Sequence, residues 1–282
     1  MNRYLRTASA TLCIFAFSLA TSFDSLAVTR ADCERTYKPQ AGQAGKDVIW
    51  LPTGDALVDR MLRMAGVGAT DLVYDLGAGD GKIAIAAARQ FGATAVGVEY
   101  NPDMARLGQC FAEAEGVADR VKIIQGDIFE TDFRAATVVT LYLLPSLNLK
   151  LRPTLLQMKP GTRVVSHSFL MEDWEPDERT QTTDGNAYLW FVPADVGGAW
   201  VFRKKNGDEF FSVRLQQKFQ QISGQADNNR TLTEATLRGD QITLSFEQDG
   251  MPVRIAGRVT GNSIEATVTR GRDSAVYVGT RS

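Results

Sequence analysis

The sequence is poor in the residues that most often bind transition metals. Its 282 residues include one histidine, His167, and three cysteines. Cys33 and Cys110 stand far apart, so they lack the short spacing of a zinc-ligand pair, and one histidine cannot complete a Cys/His site in the usual ways. No carboxylate cluster suggests another kind of metal site. We therefore predict that the protein uses no metal ion.

The sequence also lacks a long basic run. It has 31 basic and 33 acidic residues and a net charge of −2. Strongly basic segments are the usual mark of nucleic-acid binding, so nucleic acid is not indicated as a partner, although a local patch stays open. With 44% hydrophobic residues, the chain can bury a sizeable core in one or two domains.

The N-terminus has no apolar run long enough to span a membrane. The run from Ala8 to Ala20 is shorter than the ~20 residues that a spanning helix needs. Arg3 and Arg6 precede it and Ser25-Leu26-Ala27 follows it, the pattern of a secretory signal peptide. We expect residues 1–27 to be removed and the mature chain to be exported, in the periplasm; an uncleaved anchor is the alternative. Export would permit a disulfide between the two remaining cysteines, but sequence alone cannot establish their distance.

Residues 28–196 are expected to form one α/β domain. After an irregular lead-in over residues 28–46, Thr53 is a plausible N-cap for a first helix. Unalternating apolar strands separated by helices predict a parallel sheet with helices on both faces, and a ligand crevice at the carboxyl ends of the strands. The predicted strands are 72–76, 95–100, 121–124, 138–144 and 163–169; the intervening helices are 82–90, 101–116 and 147–158.

Residues 197–282 differ in pattern. Their strands alternate strictly between polar and apolar residues and are separated by turn pairs such as Asp249-Gly250 and Gly261-Asn262. This pattern predicts a small antiparallel all-β domain, a half-open barrel or a sandwich. We expect Trp200, Phe210 and Phe211 in its core. The preceding segment, residues 188–193, is predicted to be the last strand of the first sheet.

A glycine-rich loop follows the first strand of the α/β domain. Residues 75–81 read DLGAGDG, and glycines allow a sharp turn and close approach to a ligand. The spacing is G-x-G-x-G, whereas dinucleotide sites use G-x-G-x-x-G, and a buried Asp75 would repel a pyrophosphate. A nicotinamide oxidoreductase is therefore disfavoured. S-adenosylmethionine has no phosphate and carries an ammonium and a sulfonium, which suit a nearby carboxylate.

Two further acids stand at strand ends. Glu99 ends the second strand, where its oxygens can accept both ribose hydroxyls, and Asp127 follows the third, where it can accept from the adenine amino group beside Ile128. Each acid alone could be a turn or a solvated residue. Three acids after three successive strands predict S-adenosylmethionine binding.

The stretch from residue 48 to about residue 193 resembles the class I, seven-strand S-adenosylmethionine-dependent methyltransferases. Pro52-Thr53 and residues 73–83, VYDLGAGDGKI, resemble a group that contains small protein-lysine methyltransferases, as do residues 139–145 and 159–167. The resemblance implies a methyltransferase acting on an unidentified acceptor, such as a protein lysine or another amine. The expected cofactor-binding residues are Thr53, Asp75, Gly77, Ala78, Gly79, Glu99, Asp127 and Ile128.

The acceptor is expected beside the end of the fourth strand. Tyr142 could orient it through its hydroxyl or stabilise a cation with its ring, and His167, which ends the fifth strand, could act as a base. Packed core residues are the alternative for both. An exported binding protein that keeps the fold without catalysis is the competing function, since the cofactor is made in the cytoplasm.

Overall fold

The computed structural model describes residues 28–43 and 49–282. The predicted signal peptide, residues 1–27, lies outside the described residues. In the described part, no helix combines the length and apolarity needed to cross a membrane. The α-helices are α1 (Arg30–Tyr37), α2 (Asp55–Met64), α3 (Lys82–Phe91), α4 (Pro102–Ala114) and α5 (Pro145–Leu156).

The first sheet has seven strands in the order β3-β2-β1-β4-β5-β7-β6. Strands β1 to β5 are parallel, and β7 and β6 add to β5 as antiparallel strands. The expected parallel sheet is therefore confirmed, and β6 is an edge strand that the sequence did not reveal. The strands are β1 (Leu72–Leu76), β2 (Thr94–Glu99), β3 (Val121–Gln125), β4 (Val138–Leu141), β5 (Arg163–His167), β6 (Glu178–Thr182) and β7 (Gly185–Phe191).

Helices cover both faces of this sheet. Neighbouring residues of β4 show the division, because Val138 packs with α2, α3 and α4 whereas Val139 packs with α5. Alternate side chains of a strand point to opposite faces, so a strand that is apolar throughout must be covered on both sides. The helical layers leave the carboxyl ends of the parallel strands as the place where loops meet.

The helix starts show where local signals succeed and where they do not. Asn101 caps α4 as predicted, accepting hydrogen bonds from the backbone of Asp103 and Met104, with Pro102 at the first helical position. The predicted N-cap at Thr53 is wrong, because Gly54 caps α2 without a side-chain hydrogen bond. The lead-in was also wrongly expected to be irregular, since Thr29 and Asp32 form a capping box that starts α1.

The second sheet is antiparallel, with strands in the order β11-β10-β9-β8-β16-β15-β14-β13-β12. One segment, residues 230–238, joins its two edges. Its first part pairs with β10, the backbone N–H of Thr233 donates to the carbonyl of Ser245, and its second part pairs with β13. The sheet thus closes on itself, whereas a half-open arrangement or a sandwich was expected. The strands are β8 (Gly198–Lys204), β9 (Phe210–Lys218), β10 (Gln221–Ala226), β11 (Arg230–Thr231), β12 (Glu234–Arg238), β13 (Gln241–Gln248), β14 (Met251–Thr260), β15 (Ser263–Arg270) and β16 (Asp273–Arg281), with a 3₁₀ turn at Asp227–Asn229.

The turn pairs Asp249-Gly250 and Gly261-Asn262 connect consecutive strands, as predicted. The interior is filled by apolar side chains that include Trp200 and Phe211. The expectation for Phe210 is wrong: its side chain is 63% exposed, because strand residues alternate between faces and Phe211 occupies the inner one.

A disulfide between Cys33 and Cys110 attaches α1 to α4. The Cα atoms of the two residues are 5.9 Å apart, and 77 positions separate them in sequence. Around this bond, the Arg30 guanidinium lies 3.6 Å from the centroid of the Phe111 ring and pairs with Glu115. The segment that precedes the first sheet is thereby fixed to the helix that follows β2.

We predict that removing this disulfide strongly destabilises the fold. Replacing Cys33 and Cys110 by alanine should lower the free energy of unfolding by about 4 kcal/mol, because the bond closes a long loop in the unfolded chain. Chemical denaturation of the variant and of the parent protein gives the difference. The parent protein in a strong reductant should match the variant. A midpoint that does not move on reduction would contradict the prediction.

Candidate functional site

A cleft of about 300 Å³ opens at the carboxyl ends of the parallel strands. Its volume lies at the lower end of the range for small-molecule sites. One side consists of the loops after β1, β2 and β3, and another of the loop after β4. The segment that precedes α2, residues 49–53, lies along it.

Two glycines of the loop after β1 adopt a left-handed backbone. Gly77 has φ +80° and Gly79 has φ +56°, a region that other residues avoid. A Cβ atom on Gly77 would lie 2.9 Å from Cδ2 of Leu143, and one on Gly79 would lie 2.4 Å from Nε1 of Trp50. Gly77 lines the cleft together with Ala78. The indole of Trp50 lies against Gly79, which is not among the lining residues.

Asp75 lies at the bottom of the cleft and is almost fully buried. Burial raises the pKa of Asp75 to about 7. The Thr140 hydroxyl, which donates to Oδ1 of Asp75 at 2.7 Å, counteracts this rise, and the carboxylates of Asp80 and Glu99 reinforce it. Asp80 is also buried, and burial raises its pKa as well. A cationic group placed in the cleft would relieve this accumulation of negative charge.

Glu99 connects the glycine loop to the start of α4. Its Oε2 accepts from the backbone N–H of Gly79 at 2.9 Å, and its Oε1 accepts from that of Asn101 at 2.8 Å. A carboxylate oxygen has two lone pairs, so each oxygen can still accept from a ligand. The residue therefore presents a rigid pair of acceptors to the cleft.

Asp127 and Ile128 line the cleft after β3. Oδ1 of Asp127 accepts from the backbone N–H of Phe129 at 2.9 Å, and the carbonyl of Asp127 accepts from the Thr131 hydroxyl. Asp127 thus also shapes a turn, as the alternative interpretation of this residue held. The structure brings all three acids of the sequence analysis to one cleft.

Thr53 lines the same cleft, and its side chain is engaged with β5. Its Oγ1 lies 3.0 Å from Nδ1 of His167. Its carbonyl accepts from Nζ of Lys82 at 3.0 Å, and that ammonium also pairs with Asp55 at 3.0 Å. These contacts fix the segment before α2 to both β5 and α3.

Tyr142 lines the cleft after β4, and His167 lies behind it. The two rings stack with centroids 3.7 Å apart, and the ring of Phe169 stacks on Tyr142 at 6.3 Å. His167 is buried and is not among the lining residues. Burial lowers the pKa of His167, and the carboxylate of Asp184 partly opposes this. His167 is therefore neutral at neutral pH and is separated from the cleft by Tyr142.

Several lining residues were not identified from the sequence. They are mostly large and apolar, and the signal that points to some of them is the apolar run just before Pro52. Others lie beyond strand ends, where the type of residue is not fixed by the fold. The missed residues include Ile49, Trp50, Leu51, Tyr100, Leu144 and Phe169.

Known proteins share this fold and this loop. The sequence model of the ANTKMT methyltransferase domain matches residues 75–178. A protein-lysine N-methyltransferase of Saccharolobus islandicus (strain REY15A) is 47% identical over 151 residues, which cover 51% of this chain and 94% of the relative. A human ATP synthase lysine N-methyltransferase is 31% identical over 148 residues, and the match covers 52% of this chain and 62% of that protein.

A solved structure agrees. The crystal structure of an RNA methyltransferase from Salinibacter ruber, in complex with S-adenosyl-L-homocysteine, is 51% identical with a TM-score of 0.51. The match covers 52% of this chain and 96% of that chain. The chain belongs to the class I S-adenosylmethionine-dependent methyltransferases. It is an enzyme with S-adenosylmethionine as its cofactor, and the all-β domain is an addition to the methyltransferase fold.

The residues of the cleft fit this cofactor. S-adenosylmethionine brings an ammonium, a sulfonium and ribose hydroxyls, and it carries no phosphate. Asp75, Glu99 and Asp127 supply acceptors and negative charge for such a molecule, whereas they would repel the phosphates of a dinucleotide. These three residues would hold the cofactor, with the backbone of Gly77 and Ala78 beneath it.

We predict that the close contact at Gly79 is required for cofactor binding. In Gly79→Ala, the added Cβ must displace Trp50 and disturb the amide that donates to Glu99, so affinity for S-adenosylhomocysteine should fall at least tenfold by calorimetry. Gly116→Ala is the matched control. Gly116 has φ +68° and nothing within 4 Å of a built Cβ, so it shares only the backbone cost of roughly 1 kcal/mol. Equal affinities in the two variants would refute the prediction.

We predict that cofactor affinity rises with pH around neutrality. The pKa of Asp75 is raised to about 7, so the carboxylate that attracts a cation is mostly protonated at pH 6 and mostly ionised at pH 8. If only the ionised form binds, affinity for S-adenosylmethionine should increase about tenfold between these values. The same titration of Asp75→Asn removes this dependence and reveals any contribution of the ligand's own amine. In the free protein the sign is opposite, because a raised carboxyl pKa makes stability fall as pH rises through 7.

Proposed function

We propose that this methyltransferase modifies lysine side chains of protein acceptors. The observation that carries the proposal is the composition of the cleft near β4, where aromatic and apolar side chains meet the carboxylates. We name Tyr142 and Phe169 the acceptor side of the cleft. The names of the Saccharolobus and human relatives, both lysine N-methyltransferases, support the same acceptor.

The charges in the cleft favour an amine over a nucleic acid. Among the described residues that line it, Lys82 is the one cation, and it is bound to Thr53 and Asp55. Four carboxylates line it as well. RNA binding depends on cationic side chains that neutralise phosphates, and a cleft with this balance would repel them. RNA is the second candidate because the Salinibacter structure carries that name.

The chemistry of the transfer requires little from the protein beyond position. S-adenosylmethionine supplies a methyl group already activated on a sulfonium, so alignment of the acceptor contributes most of the rate. A lysine amine must lose its proton before it attacks. The ring faces of Tyr142 and Phe169 can hold the cation that forms on the acceptor. His167 supports the Tyr142 ring from behind and keeps Thr53 in place, which makes it a positioning residue.

We also propose that the protein acts outside the cytoplasm. The leader pattern of residues 1–27 and the bond between Cys33 and Cys110 both suit an oxidising compartment. Fractionated cells, treated with a thiol-alkylating reagent before reduction, provide the test. We expect the chain in the periplasmic fraction, starting after residue 27, with neither cysteine alkylated. A cytoplasmic chain with both cysteines alkylated would overturn this part of the proposal.

We predict that the acceptor is protein. Purified enzyme with methyl-labelled cofactor should label a mixture of envelope proteins, and the label should resist ribonuclease, disappear with protease and map to lysine by mass spectrometry. Total RNA serves as the competing acceptor in a parallel reaction. Label found on RNA and absent from protein would overturn the proposal in favour of the second candidate.

We predict that the ring of Tyr142 matters more than its hydroxyl. Tyr142→Ala should reduce kcat/KM for a labelled protein acceptor roughly tenfold, the size of a cation–aromatic interaction in a desolvated site. Tyr142→Phe is the matched control and should retain most of the activity. If the two variants lose the same activity, the hydroxyl orients the acceptor and the aromatic-face mechanism is wrong.

A further inference from the structure

The turn between β9 and β10 packs against the loop that follows β5. We name residues 168–175 the post-β5 loop and residues Phe219 and Gln220 the β9–β10 turn. The ring of Phe219 stacks on that of Trp174, with centroids 6.0 Å apart and planes inclined by 29°. Trp174 is completely buried, and its carbonyl accepts from Nε1 of Trp190 at 2.7 Å. An aromatic contact therefore links the all-β domain to a loop of the methyltransferase domain.

Polar contacts surround this aromatic pair. Nζ of Lys218 lies 3.1 Å from Oδ2 of Asp173, and the side-chain amide of Gln220 donates to the carbonyl of Glu175. From α5, Nη1 of Arg152 donates to the carbonyl of Met171 at 2.9 Å and to Oδ1 of Asp173 at 2.7 Å. Its guanidinium lies 5.5 Å from the centroid of the Phe219 ring. Helix, loop and turn are thus held together at one point.

Phe219 adopts an unusual backbone conformation for its type. Its φ is +54°, in the left-handed region where a bulky residue is strained and where hairpin turns favour glycine or asparagine. A large aromatic residue in this conformation is maintained by its surroundings, here by Trp174 and Arg152. Backbone strain of this kind marks positions with a constrained role.

The post-β5 loop also carries the acceptor side. Phe169 lies in it and stacks on Tyr142, five residues before Trp174. On one side the loop is continuous with β5 and His167, and on the other it is fixed by the β9–β10 turn. The cofactor side of the cleft is built from different segments, the loops after β1, β2 and β3, and the contacts of the β9–β10 turn described above involve none of them.

We propose that the all-β domain positions the acceptor side of the active site through Phe219. Phe219 and Arg152 are positioning residues: they keep the post-β5 loop in the conformation that places Phe169 against Tyr142. The effect is confined to the acceptor, because the cofactor side is held independently. This inference rests on the proposed acceptor side, and its test includes readouts that need no acceptor.

The test compares three substitutions at Phe219 with one at Phe210. Phe219→Ala removes the ring, Phe219→Gly removes the ring and also relieves the strained φ, and Phe219→Tyr retains the ring. Phe210→Ala is the matched control, because Phe210 begins the same strand and is exposed at the opposite end of the domain. The intact chain is used throughout.

The readouts separate the two sides of the cleft. Calorimetry with S-adenosylhomocysteine reports the cofactor side, and hydrogen exchange of residues 168–175 reports the loop. We expect Phe219→Ala and Phe219→Gly to speed exchange of the loop at least tenfold and to leave cofactor affinity within twofold. With poly-L-lysine as the acceptor, KM should rise at least tenfold while kcat falls less. Phe219→Tyr should restore the parent values, and Phe210→Ala should match the parent protein.

The outcomes are distinguishable from failure of the proposed acceptor. If the parent enzyme does not methylate poly-L-lysine, the lysine proposal is contradicted, and loop exchange together with cofactor affinity still tests the role of Phe219. Unchanged loop exchange in both ring-removing variants overturns the positioning role. Loss of cofactor affinity equal to the loss of acceptor turnover also overturns it, because a general loss of structure would then explain the result.

Discussion

The two hydrogen bonds of the Glu99 carboxylate are the constraint on which the site depends. One oxygen holds the backbone of Gly79 and the other holds that of Asn101, so the end of β2 fixes both the glycine loop and the start of α4. The disulfide then connects α4 to α1. The chain continues from there to Trp50, which covers Gly79. A closed circuit of contacts around one carboxylate thus defines the cofactor side of the cleft.

The methyltransferase sheet was largely predictable because its signals are local. Buried parallel strands are apolar without alternation, and Asn101-Pro102 marks a helix start with a cap and a fixed φ. The short edge strand β6 was not predictable, since it reads ERTQT and has only one partner strand. Helix α1 was missed for a related reason: its sequence is polar, and it is secured by the capping box and Cys33.

The candidate site was predictable to the extent that strand ends determine it. Asp75, Glu99 and Asp127 follow from counting strands, because the carboxyl ends of parallel strands meet at one edge. Trp50 and Phe169 reach the cleft through segments without regular structure, and only long-range packing places them there. His167 was assigned to a strand end correctly, but its position behind Tyr142 depends on the contact with Thr53.

The closure of the second sheet through residues 230–238 limits how that domain can meet other molecules. An open sheet offers unpaired N–H and C=O groups at its edges, which can bind an extended peptide by adding a strand. In the described residues of this domain, the edges that such a peptide would use are occupied by residues 230–238. A partner of this domain must therefore be recognised through side chains and turns, and copies of the closed sheet do not offer each other an edge through which to stack into fibrils.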